Sequence, residues 1–332
     1  MRRLWTLLAA FVALLLVVQT AGAHAAPAKD RTVLTFHAEL SAGTDDVYTR
    51  TVGESPTQQY GTLRLTGKTT IDGKPHTVDV VVGLQYADGS GPWSGFMTLT
   101  AKDGSILSMS YDGSTVMTPG AGSTITGRMK VIGGTGRYAK VVGTGVTHAY
   151  RADRPGALTE YDSRITLQPG TPPLPGKGAF PKVPAGTTDS ITADLMGQTP
   201  DQHFTSLPNG ITYGIGRLMA DSTDIDHTTG AYAAKVANVE LLADLEYLKG
   251  DGPFTGFINL TAEDGSVIGM RYWGAARLHQ DGSTTVRGAV EVIASSGEFA
   301  GMQGEGRVRG SRTGKVGAPL LTTITLTLQQ AR

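Results

Sequence analysis

The chain has no cysteine in 332 residues, which excludes disulfides, thiolate metal sites and cysteine nucleophiles together. Charge is also scarce: Asp, Glu, Lys and Arg make up 17%, with 29 basic residues against 29 acidic. Without a basic excess there is nothing to hold a phosphate backbone, so no nucleic-acid partner is expected. Long apolar runs are missing as well. The longest, Leu7 to Val18, has 12 residues, short of the roughly 18 that a spanning helix needs. It follows Arg2 and Arg3 and precedes the small residues Ala21-Gly-Ala23-His-Ala25, the layout of a secretory signal peptide cleaved after Ala25. The expected product is a secreted protein with no membrane span after cleavage. It carries 27 basic residues against 29 acidic, a net charge of −2.

Glycine, by contrast, is plentiful: 45 residues, about twice the usual ~7%. An internal repeat organises the rest. Gly91-Pro-Trp-Ser-Gly-Phe-Met-Thr-Leu-Thr-Ala-Lys-Asp-Gly-Ser105 returns as Gly252-Pro-Phe-Thr-Gly-Phe-Ile-Asn-Leu-Thr-Ala-Glu-Asp-Gly-Ser266. The offset of 161 runs without a gap to Leu167/Leu328, and 91–145 against 252–306 holds 21 identities in 55 positions. Upstream, Tyr60-Gly61 matches Tyr213-Gly214 at offset 153, so copy two has eight extra residues around Asp221–Ala234. These read as a longer loop. Between the copies, 169–186 holds six of the 16 prolines and predicts an extended, semi-rigid spacer. The expected organisation is a signal peptide over 1–25, one repeat over 26–168, the linker over 169–186 and a second repeat over 187–332.

The hydrophobic period inside copy one is two. Val33–Leu40 alternates, and further runs lie near 58–67, 75–86, 93–101, 105–111, 122–132, 140–151 and 158–168. Asp103-Gly104 and Asp264-Gly265 predict two-residue type I′ hairpins. Eight short antiparallel strands in about 140 residues fit a closed barrel, since closure removes exposed edges; a β-sandwich is the alternative. The expected fold is all-β, two tandem eight-stranded antiparallel barrels.

One segment carries a family resemblance: Ile125-Thr-Gly-Arg-Met-Lys-Val-Ile-Gly-Gly-Thr-Gly-Arg-Tyr-Ala139, followed by Gly143-Thr-Gly145. Strand, GGTG turn, aromatic, small residue and second glycine pair resemble the allene oxide cyclase and dirigent proteins. The hairpin from Gly95-Phe96 to Tyr111 is similar too. The resemblance covers about 70 residues of each copy. It implies eight-stranded barrels with an apolar lumen, assembly into homo-oligomers, and a cofactor-free cyclisation or coupling of a small apolar or amphipathic molecule. Copy two departs from it: Ser295-Ser296-Gly297-Glu-Phe-Ala300 keeps only the last glycine, the aromatic and the alanine. Gly134-x-Gly136-x-x-Ala139 also fits a dinucleotide fingerprint, but strand rather than helix follows, so the glycines are expected at a tight turn or bulge.

No metal or cofactor is expected. Among the seven histidines no two lie at i, i+2 or i, i+4; Asp221, Asp224 and Asp226 cluster without the glycine and glutamate of a calcium loop. Gly91-Pro-Trp-Ser-Gly95 lacks the context of a nucleophile elbow, and Asn259-Leu-Thr261 is a sequon on a strand. Polar residues repeated at equivalent positions are better candidates: Arg64 with Arg217, Asp79 with Glu240, Tyr111 with Tyr272. If Asp79 and Glu240 face outward they are solvated; if inward, a carboxylate facing Arg64 could have a shifted pKa and donate or accept a proton. Tyr111 and Tyr272, at strand ends, read as lumen-rim binding residues or as plain core. Two functions remain: a barrel that binds a small apolar or amphipathic molecule in its lumen, and an extracellular structural or interaction module with filled barrels. A cavity of ~300 Å³ or more separates them.

Overall fold

A computed structural model describes residues 30–53, 57–182, 186–197, 201–314, 316 and 318–331. The expected signal peptide lies outside the described residues. Copy one contains β1 (Thr32–Ser41), β2 (Val47–Val52), β3 (Gln58–Ile71), β4 (Lys74–Ala87), β5 (Gly91–Ala101), β6 (Ile106–Thr118), β7 (Gly122–Gly134), β8 (Val141–Arg151) and β9 (Thr159–Pro169). Each of β3 to β8 pairs antiparallel with the next, and β1 closes the ring by pairing with both β9 and β3. The result is a closed eight-stranded up-and-down barrel, with β2 an added strand on β3. Alternation explains it: Leu34, Phe36, Ala38 and Leu40 point into the core while the residues between them are exposed. The sandwich alternative is thereby set aside.

Copy two repeats the succession as β10 (Asp189–Leu195), β11 (Gln202–Ser206), β12 (Ile211–Ala220), β13 (Ile225–Thr229), β14 (Val236–Leu248), β15 (Gly252–Ala262), β16 (Val267–Leu278), β17 (Ser283–Ser295), β18 (Met302–Thr313) and β19 (Leu320–Gln330). It is a half-barrel, which corrects the expectation of two closed ones. The seam between β10 and β12 carries one isolated bridge, Met196 to Met219. The eight-residue insertion is the reason. β12 stops at Ala220, whereas β3 runs on to Ile71, and the chain crosses to pair β13 with the free edge of β10. The predicted loop is thus partly a strand, because an unpaired edge offers it backbone partners.

Two further expectations change. At Asp103-Gly104 only the glycine has positive φ (81°), and Gly104 N–H donates to the Ala101 carbonyl. This is a three-residue loop with a glycine bulge, not a type I′ turn. Beyond Pro169, which ends β9, the described linker residues carry no strand, but the linker docks on copy two: Arg277 donates to the carbonyls of Lys177 and Gly178, and Arg277 and Arg287 lie over the Phe180 ring. From Thr32 onward the chain is one compact unit.

The two copies meet through equivalent surfaces. Tyr60 packs on Phe257 at 5.5 Å and donates to Asn259; Tyr213 packs on Phe96 at 4.9 Å and donates to Ser108. At offsets 153 and 161 the two ring pairs are the same positions exchanged, and Thr98, the counterpart of Asn259, also hydrogen-bonds the Tyr213 hydroxyl at 2.7 Å, while Ser108 is the counterpart of Gly269. The contact is therefore a pseudo-two-fold, isologous interface inside one chain. Its apolar part comprises Val81, Phe96, Ile132, Ile211 and Ile215 on one side of the pseudo-axis and Val52, Leu242 and Phe257 on the other.

Candidate functional site

On the outer faces, Arg64 of β3 meets Asp79 of β4, and Arg217 of β12 meets Glu240 of β14. Arg64 grips Asp79 (Nη2 to Oδ2 2.7 Å, Nε to both oxygens 3.1 Å). Arg217 Nε donates to Glu240 Oε1 at 2.6 Å. All four lie outside the lumen, as the outward alternative required, but not as solvated charges. Glu240 is 4% exposed. It also accepts from Arg50 of copy one (3.2 Å) and from Asn259 (2.8 Å), which in turn accepts from Tyr60. Burial alone would raise its pKa; Arg50, Arg217 and the Asn259 amide outweigh that and hold it below the ordinary value. Around it, Tyr48 donates to Asp201 and lies under Arg217, and His203 sits 3.5 Å from Asp46. Burial and the Arg64 charge push the His203 pKa down. Four of the six predicted site residues thus belong to a network that ties the copies together.

The other two, Tyr111 and Tyr272, are buried inside the barrels. Tyr111 packs at a tilt against Trp93 (ring centroids 4.4 Å) and Tyr272 against Phe254 (5.3 Å). They are core residues, as one of the two readings had it. Sequence reasoning missed two buried arginines, Arg151 and Arg312, which are equivalent at offset 161, are 3% and 8% exposed, and act on Tyr86 and Tyr161 in copy one and on Tyr247 in copy two. Arg151 Nε donates to the Asp153 carbonyl, whereas Arg312 Nε has no partner. Copy one has Tyr161 and Thr115 where copy two has the smaller Thr322 and Ala276, and in copy two a lumen cavity of about 40 Å³ opens beside Arg312, Tyr247 and Leu320. That is room for a few waters, far below the ~300 Å³ of a small-molecule pocket.

Larger spaces lie outside: the largest, about 1290 Å³, is an open recess along β17 and β18, and two more lie in the groove between the copies. One of about 470 Å³ is walled by Leu84, Pro92, Phe257, Tyr272 and Trp273; its neighbour, about 260 Å³, is walled by Phe96, Tyr111, Phe254 and Glu246. Asp244 lines both and is 8% exposed. No hydrogen-bond partner reaches its carboxyl among the described residues. Burial, with the Glu246 charge adding to it, pushes its pKa up to about 8. The signal in the sequence was Asp244 standing where copy one has Gly83, and Glu246 where copy one has Gln85.

The remaining motifs are structural. The Gly134–Ala139 segment runs as strand, a 3-10 turn over Gly136–Tyr138, and an antiparallel strand, which gives no helix N-terminus to pyrophosphate. Only Gly136 and its counterpart Gly297 have positive φ there (55° and 60°). Gly133 is needed for space instead: a Cβ would stand 2.4 Å from Leu207 of copy two. Asn259 is fully buried and closed to glycosylation in the folded chain. Asp221 accepts from the backbone and hydroxyl of Thr223, and the described residues contain no metal-binding cluster. No protein-family model matches the chain, and no curated protein matches it.

Proposed function

We propose that this is a secreted recognition module, in which two side-chain-filled β-barrel repeats are held rigidly face to face and ligand is met in the groove between them. The observation that carries this reading is the contrast in volume: about 40 Å³ inside the second lumen against about 470 Å³ and 260 Å³ in the groove. Small-molecule sites need the larger figure. The interface supports it as well, because a groove keeps its shape only if its two walls are fixed, and the Glu240 network and the paired Tyr60 and Tyr213 contacts fix them. Secretion rests on the signal-peptide pattern of residues 1–25, and barrel kinship on the allene oxide cyclase and dirigent-like segment Ile125–Ala139.

A second reading, an amphipathic molecule in the lumen of copy two with its anionic end on Arg312, is favoured by one observation: that guanidinium has a buried Nε without a partner beside an apolar void. Native mass spectrometry of the secreted protein decides between them. The groove reading expects the bare protein mass from wild type and Arg312→Met alike. A co-purifying molecule that is lost in Arg312→Met would overturn it in favour of the lumen.

A further inference from the structure

The outward face of β14 presents four residues in a row toward copy one: Glu240, Leu242, Asp244 and Glu246. Glu240 is saturated by two arginines and an asparagine, and Leu242 is buried in the interface. The last two carboxyls stand in the groove without such partners. The charged groups that share the groove are few. Asp112 and Glu246 line the smaller compartment with Asp244, Arg271 lines the larger, and Lys130 of copy one acts on Glu246. Arg271 is committed to Glu291 at 2.6 Å and lies over Trp273. Asp112 is within 3.5 Å of Arg128. No cation of the described residues reaches Asp244.

A carboxyl buried to this degree with no donor directed at it is costly unless it holds a proton or meets a cation. Leu84, Pro92, Phe257 and Trp273 give the walls apolar and aromatic surface among a few polar groups, which suits the methylene body of an organic cation; the rings of Phe257 and Trp273 add cation–π attraction. Residues two apart on one strand face are roughly 6.5 Å apart, so Asp244 and Glu246 match the two ends of a short diamine. Resting on the recognition reading above, we propose that the groove binds an aliphatic organic cation, with one ammonium group on the Asp244 carboxylate and a second on Glu246.

The test is calorimetric titration of the folded full chain with butane-1,4-diamine, from pH 6 to pH 9, at low and at 150 mM salt. Binding requires ionised Asp244 while the diamine stays protonated. Affinity should therefore rise about tenfold per pH unit up to pH 8 and then level off, with a proton released below pH 8 that shows as a dependence on buffer ionisation enthalpy. Asp244→Asn, nearly the shape of the protonated acid, should weaken binding at pH 8.5 at least tenfold, and Glu246→Gln several-fold. Binding that Asp244→Asn leaves unchanged, that is independent of pH, or that 150 mM salt abolishes would overturn the proposal, as would no heat at millimolar diamine. None of those results touches the recognition reading, which falls only if native mass spectrometry finds the ligand in the lumen.

Discussion

The two copies place the same ion pair at the same position and surround it differently. Arg64–Asp79 in copy one leaves more than a third of the Asp79 side chain exposed. Arg217–Glu240 in copy two is sealed, with Arg50 and Asn259 added. The pseudo-symmetry explains the imbalance: at offset 153 the mate of Arg50 is His203, a shorter side chain whose protonated form burial and Arg64 disfavour. The same asymmetry recurs further along the strand, where Gly83 of copy one corresponds to Asp244 of copy two. The comparison teaches that duplication kept the interface geometry and let the charge at each site diverge. Copy one closes as a barrel; copy two opens its seam and places a carboxyl without a partner, Asp244, in the groove, whereas buried arginine nitrogens without partners occur in both copies, at Arg151 and Arg312.

The largest expected effect breaks the Gly83–Asp244 difference. A carboxyl whose folded pKa is raised binds a proton that the unfolded chain has already released. Its stability contribution is therefore full below the unfolded value near 4 and is lost as pH rises to about 8. Urea unfolding of the wild type should lose stability across that window with a slope approaching 1.4 kcal/mol per pH unit, and Glu246, also raised by burial, steepens it. Asp244→Asn should flatten most of the slope and leave a chain that is more stable than wild type at pH 8. An unchanged slope would mean that water or a cation already reaches the carboxyl.

The next effect separates the two ion pairs. Glu240→Ala leaves two arginines facing each other in the interface and should cost about 3–5 kcal/mol; Asp79→Ala, at the exposed pair, should cost under about 1 kcal/mol. Because the Glu240 pKa is held below its ordinary value, the stabilisation it supplies is present above the unfolded pKa and disappears as pH falls through the folded one. Acid should therefore weaken the wild type and leave Glu240→Ala less affected. Equal costs for the two substitutions would show that the network is not what holds the copies together.

The smallest effect tests the exchanged tyrosines. At Gly269 a Cβ would stand 1.9 Å from the Tyr60 hydroxyl, while the equivalent Ser108 accepts from Tyr213. Gly269→Ser should cost about 1–3 kcal/mol through overpacking. Ser108→Gly should cost only about 1 kcal/mol, since Thr98 still bonds the Tyr213 hydroxyl at 2.7 Å. Chemical denaturation midpoints measure both.

How much of this could be read beforehand follows from which signals are local. Each of the eight barrel strands of copy one overlaps a predicted run, because a strand with one buried face must alternate along its own length, although β3 and β6 run on to Ile71 and Thr118, past the predicted ends at 67 and 111. β2, with four of its six residues partly buried, has no such contrast and was not foreseen. The pairs Arg64–Asp79 and Arg217–Glu240 were visible as repeated polar positions. Their surroundings were not, since Arg50 and Asn259 reach Glu240 from 190 and 19 residues away. Arg151 and Arg312 escaped because an arginine at a strand end reads as exposed until the turn beyond it folds over.

By itself the sequence determined the duplication, the strand succession and the inward and outward faces, all of which depend on spacing within a few tens of residues. Tertiary structure alone decided that the second barrel stays open, that repeated charges meet between the copies rather than within a lumen, and that one aspartate is enclosed without a partner. Those outcomes depend on which surfaces are brought face to face, and burial, which sets the cost of a charge, exists only once they are.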